Sequence, residues 1–383
     1  MRLMKYLIAV LALLTLASAA RAVAAESSLT IEAALDFNVA EPLIRAFEAT
    51  HPNIRVSYHD SSTLAVDRRA RDGSPPADVY ISSAMPWQVA LANQGRAARL
   101  DLPEARQWPE WAKWRNEVFG FTFEPVVIAY RLDLARHTLP PQTHRELLQA
   151  LQIPQLQGRV TTYDPESSGV GYSLFQQDAR YSPRFWDLVA AMGARGVTPE
   201  ATSRAMLEGL SEGRYWLGYN LLGSYAIAWA RHHPEVIVQV PTDYSLVLLR
   251  TALVARNAPH PQAARLFMAF LLGPKGQHVL AGQTPLFSPL DGVVGPWTAA
   301  RLRDQVGDHL YPIPLDASLL AFVDPLRRDA FMRRWAREIT ILDRTGESGS
   351  SSSDTASQQS ARPDTPWPRR PTPPVHSSRE TQP

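Results

Sequence analysis

Two periods alternate along this chain. Short runs of β-branched and apolar residues close on polar or turn-forming residues, and longer stretches follow in which apolar residues recur every three or four positions. Residues 29–34 form the first expected strand, running into Asp36-Phe37-Asn38. A helix is expected next, with Leu43, Ile44 and Phe47 on one face. Asn38, with Glu41 three residues on, makes a capping-box-like start, and Pro42 falls in the tolerant first turn. "NIRVSYHD" is the second strand and "ADVYIS" the third, an apolar run of the kind a parallel sheet buries on both faces. "FEPVVIAYR" (123–131) starts with a proline-containing turn into an apolar run without helical period, so it reads as a strand.

A second series follows: a strand at 159–163, helices at 169–178, 185–192 and 201–208, and the strand "YWLGYN". "YSLVLLRTALVA" is one long strand candidate. After it come the helix "PQAARLFMAFLL" and a final amphipathic helix, "SLLAFVDPLRRDAFMRRWAREI". Two α/β series joined by two extended crossings predict a hinged, two-lobed α/β molecule with a mostly parallel sheet in each lobe. The expected divisions are a first lobe from 26–125, a second from 126–245, and a return to the first lobe with C-terminal helices from 246–344.

The ends of the chain change the picture. Arg2 and Lys5 precede an apolar stretch and then small residues, the pattern of a secretory signal peptide over 1–25, cleaved near Ala22 or Ala25. Residues 345–383 are Ser, Pro, Thr, Gln and Arg with few apolar side chains, so they are expected to be a disordered tail. Removing 1–25 takes away three of the 39 basic residues and none of the 37 acidic ones, so the net charge moves from +2 to −1. A nucleic-acid partner is therefore not expected. The chain has no cysteine, which excludes disulfides, thiolate metal sites and a lipidated N-terminal cysteine. An exported, periplasmic, monomeric protein fits this composition.

Candidate chemistry centres on "TYDPESSGVGYSLF" (162–175), where a strand hands over to a helix. A nucleophile elbow needs G-x-S-x-G, and Glu166 stands where the first glycine belongs. His51, His59-Asp60 and His232-His233 lack the spacing of a metal site. The remaining readings are an ordinary cap at Ser168 and an anion cradle. In the latter, Ser168, Gly169 and Val170 present a hydroxyl and first-turn N–H groups to a phosphate or carboxylate. Polar strand ends recur elsewhere: Asp36 and Asn38 after the first strand, Ser62 and Thr63 after the second, Ser82 and Ser83 after the third. Tyr219, Asn220, Ser224 and Tyr225 follow the strand in "GYNLLGSYA". Open α/β sheets bind ligands beyond the carboxyl ends of their strands, so these residues are all candidates for one crevice.

The segments "VAEPLIRAFEATHPNIRVSY", "ADVYISS", "TYDPESSGVGY", "LGYNLLGSYA", "VPTDYSLVLLRTALV" and "AARLFMAFLLGPKGQHVL" together resemble the extracellular solute-binding proteins of ABC importers. The similarity is to the two-lobed type II periplasmic binding protein fold, in the branch of ferric-ion binders, organophosphate binders and phosphoglycerate-transport regulatory proteins. It runs over residues 29–343. The resemblance implies that Ser168, Gly169 and Val170 hold an anion and that Asn220 belongs to the site. Iron-binding members carry adjacent tyrosines where this chain has Leu222-Gly223, and a glutamate where it has Ser83. The expectation is a small anionic organic solute, phosphorylated or carboxylated, passed to a membrane permease without cofactor, metal or catalytic residue. Alternative readings are a sensor reporting to a membrane histidine kinase, and an exported hydrolase.

Overall fold

The structure, a computed structural model, describes residues 27–340, so the expected signal peptide and tail lie outside the described residues. Strand β1 (Ser27–Ala33) buries Leu29, Ile31 and Ala33, and helix α1 (Phe37–Thr50) turns Leu43, Ile44 and Phe47 inward. The expected capping box is not formed. The helix starts two residues earlier than expected, at Phe37, with Asp36 at the N-cap position and no side-chain cap bond. Strand β2 (Ile54–Asp60), helix α2 (Thr63–Asp72) and strand β3 (Val79–Ser82) complete two parallel βαβ units. Helix α3 (Met85–Asn93) buries every residue from Met85 to Ala92, all apolar except Gln88, as a helix that is apolar nearly all round requires.

Strands β4 (Lys113–Trp114) and β5 (Val118–Gly120) form a hairpin, and the chain then leaves this sheet through Phe121, Thr122 and Phe123, all fully buried. Strand β6 (Glu124–Arg131) belongs to a second sheet. There it is joined by β7 (Val160–Tyr163), β8 (Thr198–Glu200), β9 (Leu217–Leu222), β10 (Val236–Gln239) and β11 (Ser245–Leu248). Helices α4 (Gly169–Tyr181), α5 (Phe185–Ala194), α6 (Ser203–Ser211) and α7 (Gly223–Ala230) connect these strands.

The stretch read as one long strand is two. β11 ends at Leu248 in the second sheet, and β12 (Thr251–Val254) begins in the first, with Leu249 and Arg250 forming the second crossing. The first sheet thus has the order β2-β1-β3-β12-β5-β4, and the second β13-β11-β6-β9-β7-β8 with β10 also on β6, where β13 is Leu310–Pro312. Each sheet has its expected parallel strands and a strand that runs against them: β12 pairs antiparallel with β3 and β5, and β6 pairs antiparallel with β9 and β11.

The C-terminal stretch grouped from sequence as 246–344 divides between the sheets. Helices α8 (Pro261–Leu272) and α9 (Pro274–Gln283) pack on the first lobe, whereas β13 joins the second sheet. The expected final helix is broken: a 3-10 segment, Ala317–Phe322, precedes helix α10 (Pro325–Ile339). Asp324 caps α10 and Pro325 occupies its first turn, where proline is tolerated and a continuing helix is not. Trp335 of α10 stacks on Phe175 at 4.5 Å, fixing this helix to the second lobe.

Candidate functional site

The turn after β7 is organised by one carboxylate. Asp164 accepts the Glu166 N–H at 2.9 Å, the Ser167 N–H at 3.2 Å and the Ser167 hydroxyl at 2.6 Å. This Asx turn delivers Ser168 to the N-cap of α4, where its hydroxyl accepts the Gly171 N–H at 3.2 Å. Gly169 then donates its N–H to the Thr63 hydroxyl of the first lobe at 3.1 Å. The two glycines do different work. A Cβ at Gly171 would lie 2.3 Å from Tyr163 Cβ, so this glycine lets α4 pack on β7. A Cβ at Gly169 would meet Thr63 Oγ1 at 2.9 Å and Ala84 Cβ at 3.3 Å, so this one lets the lobes approach.

Between the lobes lies a cavity of about 480 Å³. The N-termini of five helices meet in its wall: Asp36 and Asn38 of α1, Ser62 and Thr63 of α2, Ser168 and Val170 of α4, Thr202 to Arg204 of α6, and Leu222 with Tyr225 of α7. Two of these helices come from the first lobe and three from the second. First-turn N–H groups have no intrahelical acceptor, and helix N-termini carry partial positive charge. The Asn38 and Val170 N–H groups find no acceptor among the described residues.

Two guanidinium groups face the same space. Arg204 donates to Asp36 Oδ2 at 2.7 Å, an ion pair between the lobes that stays partly exposed. Arg250, on the second crossing, is buried and paired with the equally buried Glu124, Nε to Oε1 at 3.2 Å. Burial works against the charge of Arg250, yet Glu124 beside it holds its pKa above the usual guanidinium value. Asp60 also lines the cavity, its carboxylate accepting the Phe37 N–H at 3.2 Å. Burial pushes the Tyr225 phenol up to about 12 and that of Tyr58 further, so both stay neutral hydrogen-bonding groups near Arg250.

Of the residues singled out from sequence, Asp36, Asn38, Ser62, Thr63, Ser83, Ser168, Val170 and Tyr225 line the cavity. Gly169 sits at its edge, holding Thr63. The others are turned away. Ser82 accepts the Ala84 N–H at 3.1 Å, and Ser224 donates to Glu124. Tyr219 and Asn220 both donate to Asp178 Oδ2, each at 2.7 Å, in a separate buried cluster. Consecutive strand residues normally point to opposite faces. Here Asn220 has φ 65°, and that left-handed kink brings both side chains to one acceptor.

Sequence reading passed over Arg250, Arg204, Tyr163 and Ser203, all of which line the cavity. Arg250 left a signal, since a lone charge inside "YSLVLLRTALVA" has to find a buried partner. Arg204 left none, because an arginine in the first turn of an amphipathic helix looks like a solvated surface group.

Among the described residues no helix is long and apolar enough to cross a membrane, and no group of three or more His, Cys, Asp or Glu side chains is placed to hold a metal ion. The family model described as bacterial extracellular solute-binding protein matches residues 30–283. The substrate binding protein of the ABC transporter from Agrobacterium tumefaciens is 36% identical with a TM-score of 0.78, over 82% of this chain and 94% of that one. The periplasmic binding protein AfuA from Actinobacillus pleuropneumoniae, solved with fructose-6-phosphate bound, is 16% identical with a TM-score of 0.67, over 82% and 99%. The apo ferric ion-binding protein A from Pasteurella haemolytica is also 16% identical, with a TM-score of 0.61 over 84% and 98%. These last two likenesses are likenesses of fold. No curated protein matches the chain. With the two-lobed fold, the cavity between the lobes and these matches in hand, the chain belongs to the bacterial extracellular solute-binding proteins, the periplasmic binding components of ABC transporters.

Proposed function

We propose that this binding protein captures a small anionic organic solute, phosphorylated or carboxylated, and delivers it to the membrane permease of its transporter. The observation that carries this reading is the convergence of five helix N-termini on one cavity, with Arg204 and Arg250 in its wall. Such an arrangement favours negative charge through unpaired N–H groups, dipoles and guanidinium groups acting together. The cavity, at about 480 Å³, has the size of a small-molecule site and exceeds what a bare ion fills. Both lobes contribute to its wall, so a ligand touching both favours closure by differential contact.

A ferric ligand fits less well. Leu222 brings an apolar side chain to the cavity wall, and a Cβ at Gly223 would lie 2.6 Å from the Pro125 carbonyl oxygen. A tyrosine pair at these two positions has no room here, and Ser83 supplies a hydroxyl in place of a carboxylate, so the two tyrosinates and the carboxylate of the iron-binding members have no counterpart at these positions. Titration with ferric citrate should give no tyrosinate charge-transfer band.

The test is to denature the purified protein and identify the released solute by mass spectrometry. In parallel, thermal shift should be measured against fructose 6-phosphate, glycerol 3-phosphate, alkylphosphonates, dicarboxylates, neutral sugars and amino acids. Stabilisation confined to the anionic compounds is the expected result. Tight binding of a neutral sugar or an unmodified amino acid, with no response to any anion, overturns the reading.

A further inference from the structure

Arg250 is fastened to both lobes. It lies on the second crossing and is 1% exposed. Its Nη1 donates to the Ala34 carbonyl of the first lobe, and its Nε and Nη2 reach the two oxygens of Glu124 at 3.2 and 3.3 Å. Glu124 begins β6 immediately after the first crossing, where it accepts the Thr122 hydroxyl at 2.8 Å and the Ser224 hydroxyl of α7. The Arg250 backbone N–H closes the circuit onto Thr122 Oγ1 at 2.8 Å. One side chain thus ties the two crossings to each other and to a strand end in each lobe.

The guanidinium has donors to spare. It carries five N–H groups. Three serve Glu124 and Ala34, and the second hydrogens of Nη1 and Nη2 have no acceptor among the described residues, although Arg250 forms part of the cavity wall. A buried ion pair is seldom more stable than apolar side chains of the same volume, so stability alone does not account for a cation here. Arg204 differs in its attachment. It stands on α6 of the second lobe and meets Asp36 of the first only across the cleft.

We propose that Arg250 is the first docking point for the anionic group of the solute, used while the lobes are open, and that Arg204 engages only on closure. This rests on the anionic reading above. A group on the crossing strands is displaced least when the lobes rotate about them, so its contact with the solute is the same in both forms. Contacts equal in two states add affinity without shifting the balance between them, whereas a contact made only in the closed state shifts it. Arg250 therefore sets capture, and Arg204 sets closure.

The experiment uses the mature protein, with glycerol 3-phosphate and inorganic phosphate as probes. The paired variant Arg250→Met/Glu124→Gln removes the cation without leaving a buried charge unpaired, and Arg250→Lys keeps a positive charge at the same place. Thermal melts check folding, stopped-flow tryptophan fluorescence at low and high ionic strength gives association and dissociation rates, and small-angle scattering at saturation reports closure. The paired variant should bind about 10- to 100-fold more weakly, as expected for a lost charged hydrogen bond. The loss should lie mainly in association, whose salt dependence should flatten. Saturated scattering should match the wild type. Arg250→Lys should keep the salt-dependent association, and Arg204→Met should dissociate faster with association unchanged. A folded paired variant with wild-type association, or one whose loss lies wholly in dissociation and closure, overturns this role for Arg250. Where only a dicarboxylate or an alkylphosphonate from the panel above binds, it serves as the probe for the same measurements. A wild-type protein that binds none of these anions overturns the anionic reading itself, and the role with it.

Discussion

Two carboxylates are buried in the second lobe, and they are satisfied in opposite ways. Asp178 accepts from Tyr219 and Asn220 at 2.7 Å each and from Tyr244 at 3.2 Å, all neutral donors of the same lobe. His144 stacks on Tyr244 at 4.0 Å, and the space beside the cluster is only about 10 Å³. Glu124 is matched instead by a cation, and that cation reaches a cavity of about 480 Å³. Both are buried polar networks of the kind whose deletion is costly. The difference is whether the network meets a space that a ligand can enter. At Asp178 the three donors belong to the same lobe and only about 10 Å³ adjoins them, so the cluster fixes the shape of the lobe. At Glu124 the partner cation lines the cavity, and the network opens onto the site.

The sharpest way to break this comparison is to remove one partner from the ion pair. Glu124→Leu leaves Arg250 buried with no opposing charge and should cost about 3–5 kcal/mol of unfolding free energy. The double variant Arg250→Met/Glu124→Leu should recover most of that. Urea denaturation of the single and double variants measures the coupling, and a small loss in Glu124→Leu would mean that water reaches Arg250.

Next in size is Asp178→Ala, which leaves Tyr219, Asn220 and Tyr244 without their shared acceptor. A loss of about 3 kcal/mol is expected, with affinity for the solute unchanged in the protein that remains folded. Asp178 also carries a pH signature. Burial raises its pKa, with His144 and the three donors pulling the other way. An acid whose pKa is higher in the folded state binds its proton more tightly there, so its ionisation lowers stability as pH rises above the ordinary 3.8. Asp178→Asn removes that dependence. The stability of the wild type relative to this variant should therefore fall as pH rises from about 4 and then level off. A difference that grows with pH would show that the donors outweigh burial.

The α4 cap comes third. Ser168→Ala should cost about 1 kcal/mol through the lost bond to Gly171. Gly169→Ala tests closure instead. Its Cβ meets Thr63 across the cleft, so affinity should drop while unfolding free energy changes little. The Trp87–Tyr172 contact between the lobes, with ring centroids 5.7 Å apart, supplies a fluorescence reporter of that closure.

What the sequence made legible follows from the range of the physics involved. Strand runs, helix periods and the Ser168 cap are local, and they were readable because hydrophobic period and capping act over a few residues. The sheet change inside "YSLVLLRTALVA" was not, because β11 and β12 are both apolar and only their partners, β6 and β3, tell them apart. The break at Asp324-Pro325 is written in plain residues, but the apolar period continues on both sides of it. The place of Asn220 before a strand-to-helix turn points to the site, yet side-chain direction there is set by a left-handed φ that no alternation rule supplies. Arg204 gains its meaning only from Asp36, 168 residues away, and pairing over that distance leaves no local trace.

The smallest effect on stability should come from that last pair, and it is the most informative about the solute. Arg204 and Asp36 are both substantially exposed, so water screens their attraction, and breaking the bridge should change unfolding free energy by less than about 1 kcal/mol. Their effects on binding should diverge. Arg204→Met removes a cation that the anionic group meets in the closed form, so affinity should fall. Asp36→Asn removes the carboxylate that now occupies that cation. In this structure Asp36 holds the place a ligand anion would take in the closed form, and the ligand must displace it. With asparagine there, Arg204 is free for the solute, and affinity for an anionic ligand should rise several-fold, most clearly at low salt where the displaced attraction is least screened. Calorimetric titration of both variants against the identified solute reads the two signs directly. If both substitutions weaken binding alike, Asp36 is itself a ligand contact, and the solute carries a hydrogen-bond donor or a positive group beside its anionic one.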